Sequence, residues 1–328
     1  MLQKLKKIYN HCFLPCYVLT GKPLVFFAYW EDFFADLAAF RKKLARRATG
    51  TAIFQLGWHY ETAERAQQLQ QEKQVVQQQL PELELLFLTN SPQEECLLKD
   101  LGLAAVYCHQ NAFLDERRYP IIPSLIKEYK AIYIARITPF KRHNLARLIR
   151  PLKLVGTWSI PEADFALSTL RVLSFAEHQH YVPARCISRE INRASTGLCL
   201  SAEEGAMFVS AEYLLSGIPA VSTANLGGRE CLLPEPYWLR AEDTPEGVAA
   251  AVETMIARQL PAGEIRAAML AKMAKPRQTL CQLLDELYAK QGYACSHARN
   301  FRSWFCHKLG LRSSVPPWRR FRHGLLRS

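Results

Sequence analysis

Apolar residues along this chain fall in short runs separated by longer stretches of mixed polarity. Residues 23–29, 51–57, 85–88 and 104–108 are near-continuous apolar runs bounded by Gly, Pro or polar residues, which predicts buried strands. Between them, 31–48 has apolar residues at helical spacing, 61–80 is a glutamine-rich stretch with no Gly or Pro, and 94–101 predicts a third helix. The glutamine-rich stretch reads as an exposed helix reaching beyond the domain body. The alternation resumes with strands at 131–135, 153–158, 171–175, 196–200 and 220–223 and helices at 184–193, 245–258 and 264–290. Strand–helix alternation implies parallel sheets with crossover helices, an α/β doubly wound class. With 328 residues, two domains are expected: 1–127, 128–290, and a tail over 291–328.

Ligands in doubly wound sheets sit at the C-terminal ends of strands, so the residues there carry the candidate chemistry. After the strand at 196–200 comes Ser201-Ala-Glu-Glu-Gly205, and Glu204 is followed eight residues later by Glu212 within an apolar, helix-like run. A helix beginning just after Gly205 would point backbone N–H groups and its positive dipole end at an anion, and the glycine allows close approach. Glu212 would lie about two turns in, at ~3.6 residues per turn. The strand at 220–223 runs into a Gly227-Gly228 turn, and the strand at 131–135 ends in Arg136, with Lys141 five residues on. Taken alone, the Glu204–Glu212 spacing equally suits an amphipathic helix with a surface glutamate, and Arg136 with Lys141 equally suits a solvated basic turn. It is their order along the chain, at successive strand ends, that favours a common site.

Together these segments resemble the donor-sugar site of retaining nucleotide-sugar glycosyltransferases of family 4. The resemblance implies a GT-B fold, two Rossmann-like domains facing across a cleft, and transfer of a sugar from a UDP- or GDP-sugar to an acceptor hydroxyl with retention. It implies that Arg136 and Lys141 stabilise the leaving diphosphate, that Glu204 positions the sugar, that Glu212 holds the ribose, and that Gly205, Gly227 and Gly228 let the backbone approach the donor. With two cations on the diphosphate, no metal and no cofactor are expected. The match is weaker upstream, where Asn111-Ala112 and residues 115–119 resemble the family's exit from its first domain and place the linker near 120–128. There are departures: Ala135 and Ala112 stand where glycine is usual, and the first domain is short and lacks an early Gly-Gly loop. That domain normally selects the acceptor, for which His59 and Glu61, in Gly57-Trp-His-Tyr-Glu61, and His109 are the candidates. A nucleotide-sugar epimerase of the same fold and a non-catalytic partner subunit remain rival readings.

Charge is concentrated at one end. Residues 296–328 hold eight basic residues and no Asp or Glu, supplying eight of the net +12, interleaved with Phe301, Trp304, Phe305, Leu309, Trp318 and Phe321. That mixture suits an anionic membrane surface, with Lys4, Lys6 and Lys7 as a second contact; no nucleic-acid reader module accompanies it. No run approaches the ~20 apolar residues of a spanning helix, and Pro15 and the lack of a cleavage site argue against a signal peptide. The ten cysteines are scattered without a C-x-x-C pair, as in reduced thiols. Cys295, His297, Cys306 and His307 match no common zinc spacing, and His178-Gln-His180 reads as a polar loop. The expectation is a cytoplasmic enzyme, peripheral on the inner membrane face, making a cell-envelope glycan or glycolipid from a lipid-linked or glycan acceptor.

Overall fold

A computed structural model describes residues 16–21, 24–44, 49–157, 174–294, 296–297, 301, 305 and 307–309. The chain divides into two compact units, Met1–Phe113 with Pro276–Ser328, and Leu114–Lys275. Both differ from the boundaries expected at 127 and 290, for reasons of packing. Leu114 and Tyr119 are buried in the core of the second unit, whereas Leu280, Leu284 and Tyr288 are buried in the first.

The first unit holds a five-stranded sheet in the order β1 (Cys16–Gly21), β2 (Leu24–Tyr29), β3 (Gly50–Gln55), β4 (Leu83–Thr89) and β5 (Ala105–Tyr107). Strands β2 to β5 are parallel, and β1 pairs antiparallel with β2. The helix expected over 31–48 is broken at Asp36 into α1 (Trp30–Ala35) and α2 (Leu37–Leu44). Trp30 and Phe33 from α1 pack with Phe54 of β3 at ring separations of 5.0 and 4.6 Å, and Phe40 from α2 packs with Phe33 at 4.5 Å, a dense aromatic core. The glutamine-rich helix α3 (Ala63–Gln79) is capped by Thr62 and docks through Ala66, Leu69 and Val76, which keeps the glutamines mostly outward. Helix α4 (Pro92–Asp100) is capped by Ser91 and crosses from β4 to β5.

Among its described residues the second unit has six strands: β6 (Tyr129–Ile134), β7 (Leu152–Val155), β8 (Glu177–Gln179), β9 (Ala194–Cys199), β10 (Ala220–Ser222) and β11 (Trp238–Arg240). Their order, β11-β10-β9-β6-β7-β8, is parallel throughout, and successive strands are added in opposite directions on either side of the β6–β9 junction. That is the doubly wound order with its switch point at the β6–β9 junction. The helices are α5 (Ile187–Asn192), α6 (Phe208–Leu215), α7 (Pro245–Ala257) and α8 (Ala262–Lys290), with the unit boundary falling at Pro276 inside α8. The segment read as a polar loop at 178–180 instead supplies edge strand β8, and the strand expected at 171–175 is a turn at Ser174 and Phe175, residues 171–173 lying outside the described ones. Gly197 of β9 explains how α6 lies so close to the sheet: a Cβ there would stand 2.1 Å from the Tyr213 ring. With that space open, the Tyr213 hydroxyl reaches over β9 and accepts the Ile134 N–H at 3.0 Å.

Candidate functional site

Arg136, Lys141, Glu204 and the 223–228 turn all lie beyond the C-terminal ends of β6, β9 and β10, beside the switch point. Backbone bonds join these three loops. The Ala202 N–H donates to Phe140 at 2.8 Å, the Glu204 N–H to Leu226 at 2.9 Å, and the Leu226 N–H to Ala202 at 2.9 Å. Lys141 ends a 3-10 turn over Pro139–Lys141, and its carbonyl accepts from the Tyr133 hydroxyl at 2.7 Å. Its ammonium is buried in contact with the Glu204 carboxylate, which also accepts from the Ser201 hydroxyl at 2.8 Å. Burial, then the Arg136 and Arg229 guanidiniums, push the Lys141 ammonium down to about 7. Arg136 is exposed beside this pair.

Two arginines that spacing alone did not single out brace these loops. Arg142 takes a left-handed conformation (φ 50°), which turns its guanidinium back across the strand ends to the carbonyls of Leu200 (2.7 Å) and Ala224 (2.8 Å), the Thr223 hydroxyl (2.8 Å) and Asp243 (2.7 Å). Arg229 is fully buried; it donates to the Ser201 carbonyl and the Ser222 hydroxyl, each at 2.9 Å, and to the Thr223 carbonyl. Each guanidinium thus ties the Glu204 loop to the β10 loop, a use of five fixed donors that a lysine could not reproduce. Their sequence signal is position alone, one residue after Lys141 and one after Gly228.

The glycines and Glu212 differ in detail from expectation. Helix α6 begins at Phe208, three residues beyond Gly205, after Met207 in a left-handed conformation (φ 46°), and its first turn has no side-chain cap. Glu212 therefore sits about one turn into the helix, not two. It is buried and hydrogen-bonded to the Tyr119 hydroxyl, whose ionisation burial and this carboxylate oppose. Gly205 is buried beside Glu204. Gly227 has φ 111°, open only to glycine, and Gly228 starts a 3-10 turn over Gly228–Glu230. His143, two residues past Lys141, is buried against Tyr133 with ring centroids 4.8 Å apart, and burial, with Lys141 and His178 nearby, pushes it down to about 4.

In the first unit, the acceptor-side candidates also fall at strand ends. Glu31 accepts the N–H groups of Gly57 (3.1 Å) and Trp58 (3.0 Å), and Glu94 accepts those of Tyr60 and Asn90, both at 2.7 Å. Burial pushes the Glu94 carboxyl up to about 7. These carboxylates hold the 57–61 loop after β3, on which His59 is buried and Glu61 accepts from the Ser91 hydroxyl. His109, after β5, is fully buried and accepts the Asn111 N–H at 3.2 Å. Asn90 bonds to Gln55, Leu56 and Gln110 at 2.8–3.2 Å, so the ends of β3, β4 and β5 share one polar network. Among the described residues no cluster of three or more His, Cys, Asp or Glu has metal-binding geometry. Cys295 and Cys306 lie outside them, and His297 pairs with Asp285 at 2.5 Å.

No protein-family model matches this chain, and no curated protein sequence matches it. Solved structures do. HepE of Anabaena, crystallised with UDP and glucose, is 15% identical, with 80% of this chain and 77% of that one covered at a TM-score of 0.61. A sucrose-phosphate synthase of Thermosynechococcus elongatus gives 15%, 80%, 81% and 0.61. The trehalose-6-phosphate synthase OtsA gives 14%, 76%, 68% and 0.55. At these identities the likeness is one of fold, and the fold is GT-B.

Proposed function

We propose that the chain is a glycosyltransferase that moves a sugar from a nucleotide-sugar donor to an acceptor hydroxyl with retention. The observation carrying this reading is the grouping of Arg136, the Lys141–Glu204 pair and the N-terminal turn of α6 at the C-terminal edge of a doubly wound parallel sheet. The likeness to HepE, crystallised with UDP and with UDP-glucose, supports a UDP-sugar as donor. In this reading Arg136 and Lys141 face the diphosphate, Glu204 faces the sugar hydroxyls and the positive charge that develops on the sugar ring, and Glu212 takes the ribose. Gly205, Gly227 and Gly228 admit the donor. As the bond from the anomeric carbon to the leaving phosphate oxygen breaks, the acceptor oxygen bonds to the same face of that carbon and passes its proton to that phosphate oxygen. Two cations opposite a helix N-terminus offset the leaving group's charge without a divalent metal.

Acceptor recognition is assigned to the polar strand ends around His59, Glu61 and His109. The product is a cell-envelope glycan or glycolipid, made at the cytoplasmic membrane face and held there by the basic, aromatic C-terminal stretch. A thermal-shift screen against UDP-, GDP- and CMP-sugars tests the donor site. A saturable rise with a UDP-sugar, unaffected by EDTA, is expected; no shift with any nucleotide sugar overturns the reading. Incubation with the donor and no acceptor separates transfer from epimerisation, since only an epimerase would rearrange the sugar.

A further inference from the structure

The second unit contains a cavity of about 430 Å³ unrelated to the loops described above. It lies where β6, β9 and β10 begin, at the sheet edge opposite Arg136 and Glu204, and against the C-terminal ends of α6 and α7. Its size is that of pockets holding small molecules. The walls are largely aliphatic: Ile121, Leu125, Ile218, Met255, Ile256 and Leu260. Two polar groups stand out among them. Ser216, which ends α6, is 1% exposed, and its hydroxyl has no hydrogen-bond partner among the described residues. Lys127 is the one charged residue of the lining, and no carboxylate shares it. Its ammonium donates to the Asn192 and Ala194 carbonyls at 2.9 Å each, which uses two of three N–H groups and fixes the charge at the cavity wall.

A buried hydroxyl without a partner is costly unless an acceptor reaches it. A cation in an otherwise uncharged, largely aliphatic lining, with Asn192, Ser195 and Gln259 its other polar residues besides Ser216, favours an anion over a neutral or cationic ligand. Both needs are met by one group, a carboxylate, and the remaining walls call for an aliphatic body. We propose that this cavity binds a small aliphatic carboxylate, its chain packed between Leu125, Met255 and Ile256 and its head accepting from the Ser216 hydroxyl and Lys127 ammonium. The site is independent of the glycosyltransferase reading, because it shares no residue with the donor loops.

Calorimetric titration of the full chain with octanoate, octanol and acetate, well below micellar concentration, tests this. Octanoate is expected to bind once per chain and saturably, with UDP not displacing it, and octanol and acetate to bind at least about tenfold more weakly, the loss of a charge-assisted bond or of the chain's burial. Lys127→Met should weaken octanoate about tenfold and leave octanol unchanged, and Ile256→Trp, which fills the cavity, should abolish both. Absence of saturable octanoate binding, or equal octanoate binding by wild type and Lys127→Met, overturns the proposal. If Ile256→Trp fails to fold, as judged by circular dichroism, the Lys127→Met comparison decides alone, since that side chain is at the surface.

Discussion

Lys141 and Glu204 are each other's nearest opposite charge, so removing either leaves the other buried without its partner. If they act on the donor as proposed, Lys141→Ala and Glu204→Ala each lower turnover by ~10² or more, the size of a lost preorganised contact. Steady-state kinetics with a UDP-sugar check this, and near-normal turnover in both would sink the site assignment. His143 gives a separate signature in pH. Its folded value, about 4, lies below the 6.5 of a free histidine, so the unfolded chain binds the proton more readily. Its contribution is therefore intact above pH 6.5 and is lost as pH falls towards 4, by at most about 3 kcal/mol. A plot of unfolding free energy against pH should fall over that window, and His143→Gln should flatten the fall. The positions of Arg136, Lys141 and Glu204 beyond strand ends were legible in the sequence, because each follows an apolar run. Arg142 and Arg229 were not, because nothing in a sequence tells an arginine that braces loops from one in solvent.

Elements built on apolar periodicity were legible, and those depending on a single residue's conformation were not. Every strand from β2 to β7 except its exact ends follows from a run of apolar residues. The start of α6 does not, because the left-handed turn at Met207 delays it by two residues and leaves Glu212 about one turn in. Strand β8 is polar and at a sheet edge, where no second face demands apolar residues, so its composition resembled a loop. The seat of α6 offers a test at this scale. Gly197→Ala would press a methyl into the Tyr213 ring and disturb its bond to the Ile134 N–H. A loss of about 1–3 kcal/mol is expected, the usual cost of overpacking, read as a lower midpoint in denaturant.

At the scale of the whole chain, part of the C-terminal stretch belongs to a core. Phe305 and Leu309 are buried in the first unit, where Phe305 meets Phe27 and Phe113 at 5.2 Å, so these residues are core and not the membrane anchors expected from their composition. Phe305→Ala should cost about 3–5 kcal/mol, as for other buried aromatics, seen in thermal unfolding. Residues 310–328, which hold Arg312, Arg319, Arg320, Arg322 and Arg327, lie outside the described residues. We propose that they bind anionic membrane, each basic residue contributing about 1 kcal/mol. Ending the chain at Leu309 should then abolish co-sedimentation with anionic vesicles and leave the unfolding midpoint unchanged; retained binding would count against the anchor.

By itself the sequence determined the fold class, the apolar strands β2 to β7, β9 and β10, and which residues follow their C-terminal ends, because apolar period and turn chemistry are local properties. The tertiary structure alone decided which distant loops meet. It set Glu204 against Lys141, wrapped two guanidiniums across the ends of β9 and β10, sent the chain after Lys275 back into the first unit's core, and left a cavity beneath α6. These depend on contacts between residues far apart in the chain, and the energy of such a contact is set by packing and burial, which no local pattern encodes.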